Sequence, residues 1–240
     1  MMGPTHAIGG AAALAGYTII TGDQHVPIFA FGLAAVAALV PDTDLGRSMI
    51  SQFPLIFAKL MTYPLWMNPG NALTADHKHL QHRGRTHSFA ALAGFVVLLW
   101  FWLWAFSTLS HALGHPIIGF TDPYLKSMLL VGGIGYLSHL GLDLLNVNPG
   151  VQLLWPLPFR FGFPPYKRLR FRSESLQAEW LVYMPCGAFF VWYLVQYKDA
   201  IIAATHNDPL PAALLGLFSG LLTWLVIVLH HFLTHTSSAH

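Results

Sequence analysis

HRGRTHS (residues 82–88) and YLSHLGLD (136–143) concentrate imidazole, guanidinium and carboxylate groups in two short, otherwise apolar neighbourhoods. His139 and Asp143 are four apart, so on a helix they point from one face and can bind one ion or a bridged pair of ions. His82 and His87 flank a glycine turn, and Arg83 and Arg85 lie between them. Neutral imidazole is a common ligand for zinc and similar ions, and guanidinium suits phosphate oxygens. Thr86 or Ser88 can cap the helix that follows.

PDTD (41–44) adds Asp42 and Asp44. In an extended or turn segment both carboxylates could face one point, where they would repel unless a cation or a shared proton intervened. Proline and aspartate also simply punctuate helix ends. His6 near the start of the chain and Glu179 further on complete the set. Glu179 alone reads equally as an ordinary acid favoured by a helix N-terminus.

The elements that must position these groups are apolar. Of the 240 residues, 55% are hydrophobic and 9% charged, far from the roughly 25% charged residues of a soluble domain. Disorder is excluded, and an all-α polytopic membrane bundle is expected, as one domain over 1–240. A membrane span takes about 20 mostly apolar residues. Candidate spans are 6–22, 26–40, 87–110, 125–146, 178–197 and 210–233. The stretch 48–67 is broken by Pro54 and Pro64 and carries Lys59, which points to a re-entrant or interfacial segment. The start of the chain has no basic region ahead of its apolar run, so it is expected to be a retained span rather than a cleaved signal. The single Cys186 excludes an internal disulfide and a cysteine-based zinc site.

Positive charge sets the orientation. Arg47, Lys59, Lys78, Arg83 and Arg85 fall between spans two and three, and Arg160, Lys167, Arg168, Arg170 and Arg172 between spans four and five. The opposite loops hold Lys126 and Lys198. The positive-inside rule then places both termini in the cytoplasm. With that topology His6, Asp42, Asp44, His82, His87, His139, Asp143 and Glu179 all come to the cytoplasmic ends of their spans. Ionisable groups at such positions are costly in lipid and need a reason. In the loop 148–172, Trp155, Phe159, Phe161 and Phe163 suit the headgroup zone, and the basic cluster that follows suits anionic lipid.

TH near the start, LVPDTD, HRGRTHS, GYLSHLGLD and LLWP, in this order, resemble the YdjM family of bacterial inner-membrane proteins, described as metal-dependent hydrolases. Through that family the chain is distantly similar to the zinc-dependent phospholipase C and P1 nuclease group. The resemblance implies a metal ligand set of His6, Asp42, His82 or His87, His139 and Asp143, with Glu179 less firmly matched. Leu45 stands where family members often continue with a histidine, and the stretch between PDTD and HRGRTHS is long for the family.

The expectation is a membrane-embedded hydrolase of phosphoesters at the cytoplasmic leaflet, with Zn as first choice of cofactor and Mn or Mg as alternatives. Asp44 or Glu179 would act as general base, and Arg83 or Arg85 would clamp the phosphate. Expected partners are membrane lipids and an anionic, phosphate-bearing substrate, with no stable nucleic-acid complex. A metal permease and a non-catalytic scaffold are the competing readings. Transport sites tend to lie at the bilayer midplane, whereas these groups sit at helix ends.

Overall fold

The computed structural model describes residues 3–23, 26–44, 85–112, 123–145, 150–157, 159–165 and 176–206. Among them are six α-helices and no named β-strand: α1 Gly3–Thr21, α2 Ile28–Ala37, α3 Phe89–Ala112, α4 Pro123–Leu144, α5 Leu176–Gln196 and α6 Lys198–His206. Two short 3-10 turns, η1 Val40–Asp44 and η2 Arg85–His87, stand after α2 and before α3. Five expected spans thus appear as helices, each shifted by a few residues. The sixth (210–233) and the expected re-entrant segment (48–67) lie outside the described residues. The separate α6 directly after α5 was not foreseen.

Local chemistry accounts for the boundaries. Pro123 opens α4, where its missing N–H would have no helical partner anyway and its fixed φ is already helical. Ser88 caps α3, its Oγ accepting from the Ala91 N–H at 3.1 Å. Thr86, the other expected cap, is used differently, as shown below. Pro185 lies inside α5, a position tolerated where neighbouring helices re-satisfy the freed backbone.

The helices alternate in direction. His6 and Asp143 meet, so α1 starts where α4 ends. The end of α2 and the start of α3 come to the same point through Asp42 and His87. Helix α5 runs alongside α1 in the same sense: Gly187 faces Ile8, and the Tyr193 and Thr18 hydroxyls hydrogen-bond at 2.8 Å. Close approach of α1, α2 and α4 depends on Gly10 and Gly135. A Cβ on either would overlap the carbonyl of Ala34 in α2. Small residues at such crossings let backbones pack without a hydrophobic driving force between helices.

Two apolar clusters flank this crossing. One joins Ala37, Val40, Ala91, Phe95, Tyr136, Leu140 and Val151. The other joins Ala11, Leu14, Phe31, Ala34, Val131 and Tyr193. Outward from them, the bundle exposes large apolar side chains, with Val97 on α3 63% exposed, and Phe101, Trp104, Leu181 and Val195 also open. Such a surface suits lipid. The segment Lys126–Leu144 in α4 is long and apolar enough to cross a membrane, while Ile28–Asp42, Phe89–Ala105 and Trp180–Gln196 are shorter apolar stretches.

After α4 the chain turns back on itself. Val151 and Phe161 exchange backbone hydrogen bonds at 2.8 Å. This return segment, 150–157 and 159–165, is tied to both neighbouring helices. Phe89 N–H donates to Leu153 O at 2.9 Å, and Phe163 N–H to Leu144 O at 2.7 Å.

Candidate metal centre

The ligand-type residues meet where α1 and α3 begin and α2 and α4 end. His6, His87 and His139 are fully buried, Asp143 nearly so, and Asp42 is 7% exposed. His87 Nε2 lies 3.1 Å from His139 Nε2. Asp143 Oδ2 is 3.3 Å from His87 Nε2 and 3.6 Å from His139 Nε2, while its Oδ1 is 3.5 Å from His6 Nε2. Asp42 Oδ1 approaches the same His87 and His139 nitrogens at 3.5 and 3.6 Å. His6 stacks on His139 with ring centroids 3.7 Å apart.

Two of the three rings are aimed by a hydrogen bond at their second nitrogen. His139 Nδ1 lies 2.7 Å from the carbonyl of Ala38. A carbonyl only accepts, so Nδ1 carries the proton and Nε2 turns a lone pair inward. His87 Nδ1 sits 3.0 Å from Thr86 Oγ1, which leaves its Nε2 to face the cluster. Tyr136, on α4 one turn before His139, hydrogen-bonds the Thr86 carbonyl and so holds η2 against α4. Metal-binding histidines characteristically have their second nitrogen held in this way.

The cluster fits a metal ion on three grounds. Two carboxylates buried away from water carry a desolvation penalty of several kcal/mol each unless positive charge accompanies them. Two imidazole nitrogens at 3.1 Å need a proton or a cation between them, and two nitrogens bound at about 2.0–2.1 Å to one tetrahedral ion stand roughly 3.3 Å apart. Neither ring nitrogen of His6 makes a hydrogen bond although the ring is fully buried. Two overlapping triads could hold an ion: His6 with Asp42 and His139, and His87 with His139 and Asp143. Three nitrogens and two carboxylates suit zinc better than magnesium, which prefers oxygen.

Five of the expected metal ligands are therefore brought together: His6, Asp42, His87, His139 and Asp143. His82 and Arg83 lie outside the described residues. Asp44, Arg85 and Glu179 are described by backbone position only. Asp44 ends η1, two residues after Asp42. Arg85 opens η2 beside Thr86 and His87. Glu179 lies in the first turn of α5, at the end of the bundle shared with His6. PDTD forms a 3-10 turn, the second of the two conformations expected for it. His111, not among the expected ligands, is exposed at the far end of α3. Sequence reasoning missed Tyr136, the ring-holding role of Thr86 and the Ala38 carbonyl. The heptad from Tyr136 to Asp143 was the available signal for Tyr136, which shares its helix face with both ligands.

No curated protein and no solved structure matches the chain. The family described as YdjM inner membrane protein matches residues 1–200, most of the chain. The chain belongs to the YdjM family of inner membrane proteins.

Proposed function

We propose that this chain is a membrane-embedded, metal-dependent hydrolase of phosphoesters, acting on lipid-borne phosphate at the cytoplasmic leaflet. The observation that carries this reading is the buried cluster itself. Three imidazoles and two carboxylates from separate helix ends converge with His87 Nε2 and His139 Nε2 at 3.1 Å. His6, Asp42, His87, His139 and Asp143 would hold the metal, most favourably zinc, with manganese or magnesium as alternatives. A divalent ion there supplies Lewis acidity, making water a nucleophile at neutral pH and offsetting charge on the phosphoryl oxygens.

The protein's own groups do the rest. Asp42 is the least buried ligand, so the substrate approaches from the η1 side. Asp44 at the end of η1, or Glu179 at the start of α5, takes the proton as the water oxygen bonds to phosphorus. That proton returns to the ester oxygen as its bond to phosphorus breaks. Arg85, next to Thr86 and His87, and Arg83 before it clamp the phosphate with paired N–H donors. The cytoplasmic assignment is supported by charge. In sequence, ten of the twelve Lys and Arg lie between α2 and α3 or between α4 and α5, the connections that belong to the centre's end of the bundle, against Lys126 and Lys198.

Elemental analysis of protein purified without chelator, followed by turnover assays on phospholipids and generic phosphodiesters with Zn, Mn and Mg, tests the proposal. Stoichiometric metal with phosphoester turnover is expected. Metal without turnover, but with ion flux into proteoliposomes, would replace the hydrolase with a permease. Absence of both metal and turnover would leave a scaffold.

A further inference from the structure

The return segment after α4 exposes Leu154, Leu157, Phe159, Phe161 and Phe163, with Phe159 60% and Phe163 63% open. Its opposite side is not open: Val151 is fully buried in the apolar cluster beneath the metal centre. The segment is also tied where the ligands are. Leu153 O binds the N–H of Phe89, two residues after His87, and Leu144 O, one residue after Asp143, binds the N–H of Phe163. A short, two-sided element thus lies across the helix ends at the level of the centre, one face in the core and the other bare.

We propose that this segment is an interfacial lipid-docking element, with Leu157, Phe159 and Phe163 seated at the acyl–headgroup boundary of the leaflet on the metal-centre side. Three observations select lipid over another occupant. The segment is hydrogen-bonded through Leu153 to Phe89, itself exposed at the start of α3, and α3 goes on to expose Val97, Phe101 and Trp104, the kind of surface a membrane protein turns to acyl chains. The element sits where the helices end, which is headgroup depth. In sequence it leads directly to Lys167, Arg168, Arg170 and Arg172, which complement anionic lipid. The inference rests on the bundle spanning a membrane and not on any hydrolytic activity.

Unmodified protein in vesicles of phosphatidylethanolamine and phosphatidylglycerol tests this directly. The vesicles are doped with a phospholipid carrying a diazirine either near the acyl carbonyl or at the acyl terminus. After irradiation the adducts are mapped by peptide mass spectrometry. The carbonyl-proximal probe should label 154–163. With the terminal probe the 154–163 adducts should be lost while the Val97 to Trp104 side of α3, about 12–22 Å further along the helix, is labelled instead. Labelling of α3 with no adduct on 154–163 from either probe would overturn the proposal, because water, a second copy or another protein would then occupy that face. Absence of labelling on α3 as well would overturn it at its foundation, the spanning bundle. Hydrolysis enters neither readout, so loss of the enzymatic reading leaves this one standing.

Discussion

At the residue scale, the centre divides into side chains that would touch a metal and side chains that aim them. His139 and Asp143 extend from one helical face; Asp143 approaches His6 and His87, and His139 approaches His6, Asp42 and His87. His139→Ala or Asp143→Ala should each lower bound metal sharply, as measured by elemental analysis, while His111→Ala at the far end of α3 should not. Equal metal in all three proteins would mean that the cluster is a packing arrangement. Thr86 is the more discriminating residue. Thr86→Val keeps shape and removes the oxygen facing His87 Nδ1, and loss of such an outer partner typically weakens metal affinity about 10–100-fold. Thr86→Ser should restore it, because the oxygen returns. Competition titration with a chelating dye, with cobalt absorption as a second readout, checks both. A Thr86→Val protein with undiminished affinity would show that His87 needs no such support.

At the element scale, the i, i+4 pair in α4 was legible because helical periodicity alone places His139 and Asp143 on one face. The convergence of distant helix ends was legible through charge, since the Lys and Arg asymmetry predicts which helix ends share a side. What the sequence did not disclose were partners that carry no chemical flag. The Ala38 carbonyl is a backbone group at the end of α2, and nothing in its residue type marks it as the acceptor for His139. Val151 reads as one more apolar residue until the chain is seen to fold back. Glycines are similarly ambiguous in sequence, and here α4 supplies a contrast. Gly135 lies against the Ala34 carbonyl, whereas a Cβ on Gly141 meets nothing within 4 Å. Gly135→Ala should therefore push α4 from α2, destabilising by about 1–3 kcal/mol as overpacking does, and should weaken metal binding because His139 follows one turn later. Gly141→Ala should be neutral or stabilising by up to about 1 kcal/mol, the helix-propensity gain. Thermal unfolding in detergent separates them, and equal effects would refute the tight α2–α4 crossing.

At the scale of the whole molecule, the centre joins four chain segments, so metal and fold should be linked. A ligand that binds only the folded state adds about 2.7 kcal/mol of stability at one hundred times its Kd. Zinc should raise the thermal midpoint of chelator-stripped protein, and His139→Ala should abolish the increase. A zinc effect that survived this substitution would locate the ion elsewhere. Orientation is checked separately. Reporter fusions at Arg85 and Arg160 should both report the cytoplasm, and fusions at Lys126 and Lys198 the opposite side. Opposite answers for Arg85 and Arg160 would be incompatible with the described bundle, because Phe89 and Leu153 are hydrogen-bonded neighbours.

The bond between His139 and the Ala38 carbonyl also sets a clock. Its two residues are 101 positions apart in the chain, so at about 5–20 residues per second a ribosome delivers the second roughly 5–20 s after the first. For that interval the newly made α1 and α2 carry His6 and Asp42 with no α4 to receive them. Buried in hydrocarbon, those groups would be expelled or bound by something else; at a helix end they can wait in water. Their place at the ends of their helices thus serves the nascent chain before it serves the finished one.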